Sequence, residues 1–376
     1  MSPSILSLID RPAFAPVRSV LRRVVPHGLR HNIHADALAR AQQQTDQEAL
    51  AGDRANLDDI ARQCVQETIP VAAPLIMISQ VQRSGGTLLS QLFDGHSAIL
   101  SHPQELKIGY PEKFNWPPIN VHASADDLFA MLFERTNISL VEQGYTKGKR
   151  EPRRFRFFLP PVVQKQVFAA ILANNPPATE RDVLDAYFGS YFNAWLNYRG
   201  RVEDARYISA FVPRMLEDAA NMASFFAAYP DGYLISVLRD PVSWFASAQR
   251  HNSKRHMFAD VESAMDYWRA SARAMVRNRA NHGDRALIVS FEQLAAAPAD
   301  TMRALSARIG IDFEPALEQP TFNGDSIVAN SSFDDADTGV VDAVVDRTSH
   351  VSDSDRHYIE DNAMDDHNAA KALLEF

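Results

Sequence analysis

The residues Gln82-Arg83-Ser84-Gly85-Gly86-Thr87-Leu88 lie between an apolar run and a helical pattern, where backbone N–H groups and a helix dipole converge on an anion. Gly85 and Gly86 let the backbone approach oxyanion oxygens with no Cβ in the way, and Ser84 and Thr87 add hydroxyl donors. Arg83 supplies a permanent charge and a planar fork suited to bidentate oxyanion contact. The plainer reading is a tight turn with an exposed arginine. The segment is not the common nucleoside-triphosphate loop G-x-x-x-x-G-K-[ST], because counting back from Gly86 puts Val81 at the first Gly position and Thr87 stands at the Lys position.

The elements that must position this turn are legible. Leu75 to Val81 is a continuous apolar run with the content of a strand buried on both faces, and Thr87 to Phe93 continues as a helix. Tyr233 to Leu238, Arg239-Asp240-Pro241 and Val242 to Gln249 repeat the order strand, turn, helix, with Asp240 as N-cap and Pro241 in the first helical position. Ala286 to Phe291 is a third strand, followed by a helix over Pro298 to Ile309. Strands alternating with helices predict a three-layer α/β domain, a parallel sheet flanked by helices. Between the first two units, Ala125 to Arg135, Val162 to Ala173 and Arg181 to Tyr198 carry helical patterns, so residues of about 110–205 read as an insertion over the C-terminal edge of the sheet.

Two spaced motifs together resemble the PAPS-dependent sulfotransferase superfamily, whose donor is 3′-phosphoadenosine 5′-phosphosulfate (PAPS). Its 5′-phosphosulfate loop has Lys or Arg followed by Ser-Gly-x-Thr, and Arg83 to Leu89 looks like the arginine variant found in many bacterial members, with Gly86 where Thr is usual. Its second motif pairs an Arg with a Ser eight residues on for the 3′-phosphate, and Arg239 and Ser247 stand at those positions. Val289-Ser290-Phe291-Glu292-Gln293-Leu294 is similar to a third segment. Phe322-Asn323-Gly324 with Asn330, Ser331 and Ser332 resembles a C-terminal loop that closes over the nucleotide. The resemblance spans about residues 74 to 333 and implies a P-loop-type fold, PAPS as donor substrate with PAP as its product, and no metal. It also implies a catalytic carboxylate in Ser101-His102-Pro103-Gln104-Glu105-Leu106. An ungapped match falls on Gln104, so the adjacent Glu105 is the expected base, with His102 as the rival because its ordinary pKa suits the task. A nucleotide-dependent kinase and a non-catalytic PAP-binding member are the competing readings.

The chain of 376 residues, 46% hydrophobic and 23% charged, can bury a full core. Its net charge of -9 argues against a nucleic-acid partner, and from Asp334 to Phe376 twelve acidic residues face three basic ones, so the acidic character sits in this C-terminal tail, 334–376, expected to be partly helical. Residues 1–70 read as an N-terminal extension ahead of a sulfotransferase-like domain at 71–333. Arg18, Arg22 and Arg23 near its start would permit membrane-surface contact, although a packed or solvated arm is the commoner case. No run is long enough for a signal peptide or a transmembrane segment. A single cysteine, Cys64, suits a reducing compartment, so the expectation is cytoplasmic. His27 and His31 are spaced i, i+4 without a third ligand and do not make a metal site. The basic run Lys147, Lys149, Arg150, Arg153, Arg154 and Arg156 could receive an acidic acceptor, but a solvated loop is the ordinary reading. The acceptor's class, whether glycan, lipid, peptide or small molecule, has no motif.

Overall fold

A computed structural model describes residues 27–108, 115–134, 136–146, 154–252, 258, 260–327 and 347–375. The chain divides between Ile60 and Ala61, and the sheet belongs to the second unit. In chain order the elements are α1 (His27–Gln66), β1 (Leu75–Ile78), α2 (Gly86–Phe93), β2 (Ile99–Glu105), α3 (Ala125–Leu132), α4 (Thr136–Gln143), α5 (Pro161–Asn174), α6 (Glu180–Ala194), β3 (Tyr207–Phe211) and α7 (Ala219–Ala228). They continue with β4 (Tyr233–Leu238), α8 (Pro241–Asn252), α9 (Val261–His282), β5 (Ala286–Ser290), α10 (Phe291–Ala296), α11 (Pro298–Ile309), the hairpin β6 (Thr321–Phe322) and β7 (Asp325–Ser326), and α12 (Asp353–Lys371).

The five long strands form one sheet in the order β2-β3-β1-β4-β5, and each neighbouring pair is parallel. The predicted continuous apolar runs account for its centre: every residue of β1 and β5 is buried, because helices cover both faces. Ile76, Ile78, Ile235, Val237, Leu287 and Val289 alternate onto one face against Leu89, Leu92 and Phe93 of α2 and Met302 and Leu305 of α11. Fully burying one such side chain contributes roughly 1.5–3 kcal/mol. On the other face α9 is stitched to the sheet where Ser271 Oγ accepts from Val81 N–H at 2.9 Å and Trp268 Nε1–H donates to the Arg239 carbonyl at 3.1 Å. The expected three-layer arrangement of a parallel sheet between helices is what forms.

β1 is followed by an excursion to β2 on one side, and β4 leads to β5 on the other, so the strand order reverses between β1 and β4. Ligands of open α/β sheets bind in the crevice at such a switch point. Both arginine turns leave the sheet there.

The insertion helices lie within a few residues of their expected spans, and α5 and α6 pack against each other. Two strands of the five-stranded sheet, β2 and β3, were not expected. β2 contains Pro103, which removes a ladder donor, but β2 is an edge strand, where proline is tolerated. Its pairing is irregular: Ser101 aligns with Ser209 and Glu105 with Phe211, leaving residues 102–104 opposite a single residue of β3. The acidic C-terminal segment contains α12, which docks on α9, with Asp366 paired to Arg269 and Arg273 at 2.9 Å each. No helix among the described residues is long and apolar enough to cross a membrane.

Candidate active site

The turn after β1 is tethered at several points. Trp244 Nε1–H of α8 donates to the Gln82 carbonyl at 2.7 Å, and the buried Gln80 accepts from Val237 N–H through Oε1 at 3.2 Å. Arg83 and Gly85 adopt positive φ, 71° and 102°, which in Gly85 is free of Cβ strain. A Cβ on Gly85 would lie 2.5 Å from the Phe291 ring, and one on Gly86 would collide with Gln80 Nε2 and lie 2.5 Å from Phe211. The two glycines therefore let the loop sit down onto the sheet, in addition to any approach by a ligand from outside. Gly86, where a threonine is usual in the resembling family, has no room for one here.

α2 begins at Gly86 with no side-chain cap. Its first intrahelical bond is Leu89 N–H to the Gly85 carbonyl at 3.0 Å, so the amides of Gly86, Thr87 and Leu88 have no partner among the described residues. Ser84 is buried in the same turn. Arg83 Nε is buried and likewise unpartnered among the described residues. Burial pushes its guanidinium below the ordinary arginine value, and the nearby negative charge of Glu105 pulls it back up. Open helix-start amides beside a buried, unsatisfied guanidinium form a cradle that fits a phosphate or sulfate group.

The second turn reaches back into the first. Arg239 donates through Nη1 to the Arg83 carbonyl at 2.8 Å, 156 residues away in sequence, and through Nε to Ser243 Oγ at 3.1 Å. Its guanidinium lies 4.2 Å from the centre of the Phe291 ring, the same ring that backs Gly85. Ser247 is buried one helical turn beyond Ser243 on α8. This helix start is finished differently from the first: Asp240 Oδ1 accepts from Ser243 N–H at 2.8 Å, and Glu292 Oε1 accepts from Asp240 N–H at 3.0 Å. Carboxylates already occupy those amides. An anion here meets Arg239 and hydroxyls.

The rival bases separate on geometry. His102 is fully buried, with Nδ1–H donating to the Gln104 carbonyl at 2.9 Å and Nε2–H to Glu134 Oε1 at 2.9 Å. Burial opposes its cation, but the charge and hydrogen bond of Glu134 and the Gln104 carbonyl outweigh burial and raise its pKa. With both ring nitrogens engaged, one by the Gln104 carbonyl and one by Glu134, His102 has none left for an acceptor. Gln104, the ungapped match, spends its amide on Thr136 Oγ1 at 3.1 Å and Asn137 Oδ1 at 3.0 Å. Glu105 is half-buried at the end of β2, has no side-chain hydrogen bond among the described residues, and lies near enough for Arg83 to feel its charge.

Sequence reasoning missed Ser243, Phe291 and Glu134. Ser243 had a signal in its four-residue spacing from Arg239 and Ser247; Glu134 had none, since only the fold brings it to His102. Phe322 and Asn323 are buried where the hairpin turn docks at the far end of α2, with Asp94 Oδ2 accepting from Gly324 N–H at 2.9 Å. Asn330, Ser331 and Ser332 lie outside the described residues, as do Lys147, Lys149, Arg150 and Arg153 of the basic run and Arg18, Arg22 and Arg23 of the N-terminal arm. Arg154 and Arg156 are exposed. Among the described residues no group of three or more His, Cys, Asp or Glu side chains is arranged to hold a metal ion.

Residues 74–315 match the sequence model of a family described as the sulfotransferase family. No curated protein matches the chain in sequence. Among solved structures, the sulfotransferase domain from the Synechococcus PCC 7002 olefin synthase shares 18% identity over 81% of this chain and 97% of its own, with a TM-score of 0.50, a likeness of fold. A sulfotransferase from Alicyclobacillus acidocaldarius aligns over 81% of this chain and 96% of its own at 17% identity and a TM-score of 0.44.

Proposed function

Because this chain belongs to the sulfotransferase family, we propose that it transfers a sulfuryl group from PAPS to a hydroxyl or amine of an acceptor, with Glu105 as general base. The observation that carries the reading is the hydrogen bond from Arg239 to the Arg83 carbonyl. It joins the two anion-binding turns at the switch point, as a donor charged at both its 5′ and 3′ positions requires.

PAPS supplies an activated sulfuryl group on its 5′-phosphate. Arg83 and the amides of Gly86, Thr87 and Leu88 hold that end, and Arg239 with Ser243 and Ser247 holds the 3′-phosphate. Glu105 accepts the acceptor's proton as its oxygen or nitrogen bonds to sulfur. The bond from sulfur to the bridging phosphate oxygen breaks, its electron pair stays on that oxygen, and PAP leaves. Arg83 and the loop amides stabilise the charge that develops there. The single cysteine fits action in the cytoplasm.

Thermal unfolding tests the donor assignment. PAP without added metal should stabilise the protein, by about 2.7 kcal/mol at one hundred times its dissociation constant, and ATP with Mg²⁺ should do so far less. Equal shifts would turn the reading toward a kinase. A PAP shift with no transfer of radiolabelled sulfate across glycan, lipid, peptide and phenol acceptors would leave a binding protein.

A further inference from the structure

We propose that the buried His102–Glu134 pair is a positioning device for Glu105, holding the irregular strand end from which that carboxylate is presented; the inference rests on Glu105 being the base. Glu105 makes no side-chain hydrogen bond of its own among the described residues, so its aim is inherited from its backbone. That backbone is held on both sides by Glu134, which lies between α3 and α4, and by the first residues of α4. Before Glu105, His102 Nδ1–H donates to the Gln104 carbonyl at 2.9 Å, and the Gln104 amide donates to Thr136 Oγ1 at 3.1 Å and Asn137 Oδ1 at 3.0 Å. After it, Lys107 N–H donates to Glu134 Oε2 at 3.1 Å. Glu134 Oε1 closes the circuit on His102 Nε2 at 2.9 Å. A single carboxylate thus reaches the chain on either side of Glu105, once directly and once through the imidazole.

The tether has work to do because residues 102–104 lie opposite Ala210 alone, two residues more than the β3 register takes up. A one-residue slip in a strand turns every following side chain to the opposite face, and bulges beside active sites serve to aim a side chain. His102 and Glu134 are 0% and 1% exposed. A buried ion pair of this kind adds little net stability, so stability alone does not account for it. The groups facing the pair are few. From α6, Tyr187 Oη lies 3.5 Å from Glu134 Oε1 and the Tyr191 ring centre lies 4.9 Å from that of His102. Burial and the neighbouring carboxylate drive both phenols well above their ordinary pKa, so neither titrates in the working range. On β2 itself Glu105 is three residues on.

Glu134→Gln and His102→Asn test this in the full chain. Misplacement of a reacting group by about an ångström costs on the order of 100-fold. Each variant should therefore lower kcat by roughly 10- to 100-fold, keep the donor KM and the PAP thermal shift, and move the limb of the kcat–pH profile that reports the base. In a Glu105→Gln background the same substitutions should cost nothing further, since there is no carboxylate left to aim. Losses that multiply with Glu105→Gln, or a donor KM that rises in step, would show a general structural role and overturn the inference. If the buried variants do not fold, Gln104→Ala removes only the two outer bonds. It should lower kcat several-fold in the wild-type background and not in Glu105→Gln, and an unchanged kcat would count against the tether. Glu105→Gln alone separates the two levels, because near-normal turnover in that variant defeats the base assignment itself.

Discussion

The two turns that meet at the switch point use the same plan and are finished in opposite ways. After β1, the turn from Gln82 to Thr87 leaves the first amides of α2 open and a buried guanidinium nitrogen unsatisfied. After β4, Asp240 and Glu292 take the Ser243 and Asp240 amides at the start of α8, and Arg239 is braced against Phe291, Ser243 and the Arg83 carbonyl. An arginine beside a helix start is thus not one kind of anion site. Rigid open amides suit charge that grows during a reaction, whereas a braced guanidinium suits charge that is present throughout.

The sharpest way to break this contrast is to remove each arginine. Arg83→Ala should lower kcat by about 100- to 1,000-fold, as loss of a donor aimed at developing charge does. Arg239→Ala should mainly raise the donor KM, since a charge-assisted contact is worth about 1.5–3 kcal/mol. Steady-state kinetics with varied PAPS decides it, and two variants altered in KM alone would erase the distinction.

Next in size is the packing of the open turn. Gly86→Ala forces a methyl group into the space of Gln80 and Phe211 and should cost about 1–3 kcal/mol, read from denaturant unfolding. An unchanged midpoint would mean that the loop has room to lift off the sheet.

The smallest effect probes the closed turn. Asp240→Asn keeps a residue able to cap Ser243 while deleting a negative charge next to Arg239. PAP should bind a few-fold more tightly by calorimetry, because a like charge near a dianion is removed. Weaker binding would assign Asp240 a contact with the donor instead.

Legibility differed between regions for physical reasons. The central strands β1, β4 and β5 could be read because burial on both faces demands unbroken apolar runs, and α5 and α6 because their periodicity is long. β2 was hidden because it is an edge strand with Pro103 and an irregular register, and β3 because five residues with a central Ser209 carry little pattern. α9 was legible and overlooked: Ala264, Met265, Trp268, Ala272 and Met275 mark its buried face at helical spacing. In the site, the choice between Gln104, Glu105 and His102 could not be made from an ungapped match, because the irregular strand end changes which side chain points where.

By itself the sequence determined the layered α/β class, the order of its two arginine turns and the family to which the chain belongs, because these depend on local composition and short spacing. Only the tertiary structure decided that Arg239 would grip the Arg83 carbonyl, that Glu292 would take the Asp240 amide, and that His102 would be committed to Glu134. Those are contacts across 156, 52 and 32 residues. Partners so far apart carry no local pattern, and only packing of the whole core brings them within hydrogen-bonding distance.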